Sequence, residues 1–238
     1  MNAKDLKFTI TGTEGQSIKQ LLKGFDDRFE KLVEEIHQNT RVKDKILDIG
    51  CGEGKIWELF PDLQVTGLDF SQENLKKAKK FVKPVLGSAE KLPFKDNSFD
   101  IVLATEILEH VINPEKLLTE TDRVLKRGGH AIISFPNTAA LQLRIGISLF
   151  GRSPLLNYPQ NVGHIRFFDL SDIRKMLKDT KLRIKKIRGG NFLSFHSVNF
   201  GSYIPVPRKI RFIGGDIFPT LSLGCIVVLK KQYEVFNN

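Results

Sequence analysis

This chain has little of what marks secreted, redox-active or membrane-spanning proteins. Only two cysteines occur in 238 residues, Cys51 and Cys225. They stand far apart and form no metal or redox motif, which excludes motif-type cysteine chemistry and fits a reducing compartment. The opening residues, MNAKDLKF, lack the apolar core of a signal peptide. The longest apolar stretch, Ala139–Phe150, is interrupted by Arg144 and is too short to span a bilayer. A cytoplasmic location is the expectation. No internal repeat or low-complexity segment is present.

What the chain does have is apolar bulk and an uneven charge. Hydrophobic residues make up 41%, enough for a sizeable core. The length suits one α/β domain with insertions. The net charge is +10, yet residues 1–119 hold 18 basic and 20 acidic residues, and residues 120–238 hold 19 and 7. A basic second half attracts anionic partners or simply forms a solvated surface.

The chemistry starts at 46–54, ILDIGCGEG. The apolar run Ile46-Leu47-Asp48-Ile49 reads as a buried strand. Glycines then stand at every second position, Gly50, Gly52 and Gly54, allowing tight turns and close approach to a ligand. A second apolar run ends in Asp69, 21 positions after Asp48. An acid at that strand tip can take both hydroxyls of a ribose. The pair predicts a nucleoside-like cofactor over the carboxyl ends of parallel strands.

The spacing D-x-G-x-G-x-G departs from the dinucleotide fingerprint G-x-G-x-x-G. It resembles motif I of the class I, Rossmann-like S-adenosylmethionine-dependent methyltransferases. The segments GSAEKLPFKDNSFDIVLATEILEHV (87–111) and LLTETDRVLKRGGHAIISFPN (117–137) are similar to the methyltransferase type-11 superfamily. The resemblance implies S-adenosylmethionine as cofactor and S-adenosylhomocysteine as product. It places Asp48, Gly50, Cys51, Gly52 and Gly54 at the methionine end and Asp69 at the ribose. Ser88 and Ala89 meet the adenine, Phe70 packs nearby, and Glu106 lines the cofactor. The family often has Asp where this chain has Ser88, so the serine hydroxyl, Glu90 or a water takes that role.

The periodicities predict strands at 45–49, 64–68, 84–86, 99–104, 130–135, 182–188 and 223–230. A helix is expected from Ser17 to about His37, and another begins near Gly54. A Lys-rich helix runs from the Ser71 cap to about Val82. Asn113 caps a helix with Pro114 at its first position, ending at Lys126-Arg127-Gly128-Gly129. Ser171 caps a last helix to about Asp179. This order fits a seven-stranded, doubly wound α/β sheet of the class I methyltransferase fold. Residues 1–40 are read as a helical segment flanking the cofactor site and 41–238 as the methyltransferase domain. Two stretches near 137–168 and 189–221 break the alternation and are read as substrate-side insertions. The first carries Arg144, Arg152, Pro154, Tyr158, Pro159, Asn161 and His164. The second is rich in Phe, Gly and Pro.

The catalytic candidates are His110, Glu109 and His164. Glu106, Glu109 and His110 have offsets of three and four, so a helical turn would set them on one face. With His164 they offer two carboxylates and two imidazoles, a donor set for Mg²⁺, Mn²⁺ or Zn²⁺. L-E-H-V also occurs in metal-free members of the resembled superfamily, so no residue is assigned as a metal ligand. His37, His130 and His196 read as structural. Phe167, Phe168, Phe192, Phe195 and Phe200 read mostly as core.

The expected activity is methyl transfer to a small molecule, with an oxygen acceptor slightly favoured and an anionic acceptor compatible with the basic half. One alternative is an RNA 2′-O-methyltransferase with a metal-assisted site, although no RNA-binding module or aromatic-interleaved basic motif stands out. Another is a non-catalytic cofactor-binding subunit. Peripheral membrane contact through 139–150 is compatible with the first reading. Acceptor identity and oligomeric state are not readable from these residues.

Overall fold

A computed structural model describes residues 27–151, 163–193 and 206–233. The expected Ser17 cap and its first helical turns lie outside these residues. So do Arg152, Pro154, Tyr158, Pro159, Asn161, Phe195, His196 and Phe200.

Seven strands form one sheet: β1 Ile46–Ile49, β2 Val65–Asp69, β3 Lys83–Leu86, β4 Phe99–Thr105, β5 Leu125–Pro136, β6 Leu182–Gly190 and β7 Gly224–Lys231. Their order is β3-β2-β1-β4-β5-β7-β6. Neighbours among the first five pair parallel, while β7 runs antiparallel to both β5 and β6. The sheet is therefore mixed; its parallel strands β1, β2 and β4 are buried on both faces, while the edge strand β3 stays partly exposed. In β4, Val102 and Ala104 join one core, with Leu117, Leu118 and Ile173 from the covering helices. Ile101 and Leu103 face the other core, with Val33, Ile36, Trp57 and Phe60. Alternate side chains point to opposite faces of a strand, so one apolar run supplies both cores.

The helices are α1 Asp27–Asn39, α2 Gln72–Ala78, α3 Pro114–Val124, α4 Leu141–Phe150, α5 Leu170–Met176 and α6 Arg208–Ile217. Among the described residues no helix is long and apolar enough to cross a membrane.

Several sequence expectations are corrected. After the glycine loop the chain makes only a 3₁₀ turn, Lys55–Leu59, which buries Trp57 and stops before Pro61. Helix α2 ends at Ala78, not near Val82. Pro84 disfavours helical backbone at Lys83, so the chain must turn before entering β3. Helix α3 ends at Val124, and Lys126 to Gly129 belong to β5. What read as a basic helix end is a strand: Lys126 pairs with Asp100 at 2.8 Å. Asp169, not Ser171, caps α5. Its carboxylate accepts from the Ser171 and Asp172 N–H groups, and Asp172 closes the capping box. Ser71 does cap α2, accepting from Asn74 N–H.

Helix α1 is held by charge as well as by apolar contact. Lys31 is fully buried, with its Nζ donating to the Gly189 and Phe212 carbonyls at 2.6 Å and standing 3.0 Å from Asp216. Arg188 pairs with Glu34, Glu35 and Asp216. Lys186 meets Glu35, and Arg208 meets Glu30. Part of the basic surplus of the second half, Lys186, Arg188, Arg208 and Arg211, thus faces the carboxylates of α1.

Candidate functional site

A cavity of about 640 Å³ opens at the carboxyl ends of β1, β2 and β4. Gly50, Gly52, Asp69, Phe70, Ser88, Ala89, Glu106 and His110 line it, with Ile107, Val111 and Ile112. Ligand sites in open α/β sheets lie at this end of the strands.

The glycine loop has distinct reasons at two positions. Gly50 has φ +73°, and a Cβ there would overlap Ile107 Cδ1. Gly52 has φ +53° with nothing within 4 Å of where its Cβ would lie, so backbone conformation alone favours glycine and the face stays open to a ligand. Gly50 and Cys51 donate to the Leu68 carbonyl at 2.7 and 3.0 Å. Gly54 does not line the cavity; it packs against Ala78 of α2.

Asp69 anchors the rim. Its Oδ2 accepts from Gly52 N–H at 2.9 Å and its Oδ1 from Ser71 N–H at 2.8 Å. A carboxylate has about four lone-pair sites, so two remain for ligand hydroxyls. Asp69→Asn would oppose one of these N–H groups with an NH₂. A 10- to 100-fold loss of S-adenosylhomocysteine affinity is expected, the equivalent of about 1–3 kcal/mol for an unsatisfied buried donor. Titration calorimetry reads this directly, and unchanged affinity would remove Asp69 from the site.

Asp48 lies beneath the loop and is buried. Its Oδ2 accepts from Trp57 Nε1–H at 2.7 Å. Burial, with the Asp69 charge adding, pushes it up to about 7. It supports the loop from below and does not line the cavity. Cys51 likewise turns away, its Sγ seated against Gly67 of β2, and burial pushes its thiol up to about 12. Phe70 is 85% exposed at the mouth, not packed. Ser88 lines the wall, its Oγ accepting from Glu90 N–H at 3.2 Å. Glu90 is committed elsewhere: it accepts from Ile112 N–H, Asn113 N–H and Asn113 Nδ2. These bonds, Asn113 first, hold Glu90 below the usual glutamate range.

Glu106 directly follows β4 with φ +51°, a left-handed backbone uncommon for a side chain of this size. Its Oε1 accepts from Ser134 Oγ at 2.7 Å, and its Oε2 pairs with Arg28 of α1 at 2.6 Å. Arg28 was not visible as a site residue in the sequence. It lies over Gly190 and Gly224, cross-strand partners in β6 and β7; a Cβ at either would overlap its side chain. The one available signal was a cation at Arg28 beside the apolar stripe of α1.

The expected single helical face for Glu106, Glu109 and His110 does not form. Only Leu108–His110 make a 3₁₀ turn, and Glu106 faces Arg28. The structure instead groups Glu109, His110 and His164. His110 Nδ1 lies 3.1 Å from the Gly163 carbonyl. A carbonyl only accepts, so Nδ1 carries a proton, and in the neutral ring Nε2 keeps its lone pair. The His110 and His164 rings meet edge-on with centroids 4.9 Å apart. Burial, then the neighbouring Glu106 charge, pushes Glu109 up to about 8. Burial, then His110, lowers His164.

The match to known proteins runs through this site. A family model described as "Methyltransferase domain" matches residues 47–133. A ubiquinone biosynthesis O-methyltransferase of Rickettsia felis is 31% identical over 174 residues, covering 68% of this chain and 70% of the relative. The chain belongs to the class I S-adenosylmethionine-dependent methyltransferases. An uncharacterized protein of Methanocaldococcus jannaschii is 38% identical to this methyltransferase over 126 residues, 53% of the chain. The match spans half the length of that relative. A solved methyltransferase of Thermotoga maritima shares the fold with TM-score 0.62 and 20% identity, covering 87% of this chain and 91% of that one. The family implies S-adenosylmethionine, and this methyltransferase's residues fit it: an open glycine loop, an acid with free acceptor capacity, and a cavity within the ~300–1,000 Å³ of small-molecule sites.

Proposed function

We propose that the protein methylates an oxygen atom of a small molecule. The observation that carries the reading is His110, facing the cavity with its Nε2 lone pair left available by the Gly163 contact. S-adenosylmethionine supplies an electrophilic methyl group when bound. The backbone at Gly50 and Gly52 and the Asp69 carboxylate would hold it, with Ser88 and Ala89 at the base. The chain's own contribution is then placement of the acceptor and removal of its proton. His110 Nε2 accepts that proton, and Gly163 keeps the ring oriented. Proximity supplies most of the acceleration, and a positioned base adds about 10²–10⁴-fold.

The similarity to a ubiquinone biosynthesis O-methyltransferase supports an oxygen acceptor. The RNA alternative has less support, because Arg188, Lys186 and Arg208 are paired with α1 carboxylates. The test is to incubate the protein with S-adenosylmethionine and a panel of phenols, catechols and hydroxy acids, and to read products by mass spectrometry. O-methylated product is expected, with kcat falling about 10²–10⁴-fold in His110→Ala and S-adenosylhomocysteine affinity unchanged. Methylation confined to amines or carbon centres, or full activity in His110→Ala, would overturn the assignment.

A further inference from the structure

His110 is exposed on a short 3₁₀ turn, where an imidazole rotates freely unless something holds it. What holds it is the backbone of 163–168. The Gly163 carbonyl lies 3.1 Å from Nδ1, and a Cβ at Gly163 would sit 3.6 Å from the same atom. Gly163 has φ +68°, so its backbone conformation favours glycine. Without an acceptor at Nδ1, the neutral ring can carry its proton on either nitrogen. A ring protonated on Nε2 has no lone pair there to take a proton. The work of the base therefore depends on where residue 163 is held.

That segment is pinned at both ends. Phe168 is buried, and its carbonyl accepts from Thr138 N–H at 2.9 Å and from Thr138 Oγ1 at 3.1 Å. Nearer His110, the Ile165 and Arg166 N–H groups donate to the Glu109 carbonyl at 2.9 and 3.3 Å. Two bonds to a single oxygen leave the segment able to pivot about it. The Arg166 side chain supplies a second point. Its Nε donates to the Ile112 carbonyl at 2.9 Å, and its Nη2 reaches the same oxygen. The Ile112 peptide is itself fixed, its N–H donating at 2.9 Å to Glu90 on the cavity wall. Arg166 is exposed, and its side chain meets no carboxylate among the described residues. A guanidinium fork directed at one backbone carbonyl acts here by geometry, not by pairing charge.

We propose that Arg166 is the positioning residue for His110. By fixing 163–166 against the turn from Glu109 to Ile112, it holds the Gly163 carbonyl on Nδ1 and keeps the Nε2 lone pair toward the cavity. Arg166 does not line the cavity, so its effect on the reaction passes through His110. This inference rests on the reading of His110 as the base. Arg166→Ala is expected to lower kcat about 10- to 100-fold, the scale of one hydrogen bond to a charged group. Its affinity for S-adenosylhomocysteine should be unchanged.

The test labels the full-length protein with ¹⁵N-histidine and reads the His110 tautomer by long-range ¹H–¹⁵N correlation. The His110→Ala spectrum identifies its signals, and neither cofactor nor acceptor is needed. With the ring neutral, the parent is expected to carry its proton on Nδ1. Arg166→Ala should move that proton toward Nε2. Arg166→Lys keeps a donor for the Ile112 carbonyl and should retain more of the Nδ1–H form; it also guards against a folding defect in the alanine variant. Arg174→Ala, exposed on α5, should leave the His110 signals where they are. An undisturbed Nδ1 proton in Arg166→Ala, whatever its effect on stability, would overturn the positioning role and leave the base assignment standing. A shift to Nε2–H with kcat unchanged on the acceptor found in the panel would uphold the positioning and sink the base assignment.

Discussion

Lys31→Ala unfolds at markedly lower urea concentration than the parent chain, with a loss of about 3–5 kcal/mol. The ammonium is fully buried. Burial lowers its pKa, and the neighbouring Asp216 carboxylate opposes that. Replacing a whole buried ion pair by apolar groups is often neutral, but removing one partner is not. Here the substitution leaves the Gly189 and Phe212 carbonyls without their donor. It also leaves Asp216 to Arg188 alone. Lys31→Met should lose less, because the methionine stem preserves the packing of the lysine methylenes. Linear extrapolation from urea curves gives the difference. A loss under about 1 kcal/mol for the alanine variant would show that the α1 anchor is apolar, not ionic.

Asp48→Asn gives the second large effect, and it depends on pH. In the folded chain burial raises Asp48 from its ordinary value to about 7. A carboxyl raised on folding holds its proton more tightly in the folded state. Its contribution is therefore fully present below the unfolded value near pH 4. It is lost progressively as pH rises to about 7 and is flat above that, at about 1.4 kcal/mol per pH unit in the window. The amide keeps an oxygen to accept from Trp57 Nε1–H but carries no charge at any pH. The variant should match the parent near pH 4 and exceed it by a few kcal/mol at pH 8. Thermal melts of both proteins across pH 4–8, without cofactor, measure the divergence. Parallel curves would mean that Asp48 is not charged in a dry site.

The elements legible in the sequence were those governed by near neighbours. The apolar run before Gly50 and the Pro114 helix start needed no distant partner. The misread elements depended on remote residues. Lys126-Arg127-Gly128-Gly129 has the chemistry of a helix end, but Phe99 pairs with Leu125 and draws the segment into β5. Gly128, at φ +78°, absorbs the bend there. Asp169 and Ser171 are both cap-forming types, and the reciprocal bond with Asp172 decides between them. At the site, the loop glycines and Asp69 were visible from spacing alone. Arg28 was not, because its partner Glu106 is 78 positions away and a left-handed glutamate has no signature in sequence. The charged residues buried on α1 were hidden for the same reason: their partners lie in β6 and α6.

The slot that receives Arg28 also orders events in time. Its floor is the Gly190–Gly224 pair, and β7 is threaded between β5 and β6 as the last strand of the sheet. Helix α1 is made early, yet the groove into which its arginine fits does not exist until β7 has been synthesised and inserted. Long-range closure of this kind is slow relative to local helix formation. A chain that ends before β7 lacks Gly224, and with it half of the floor on which Arg28 sits.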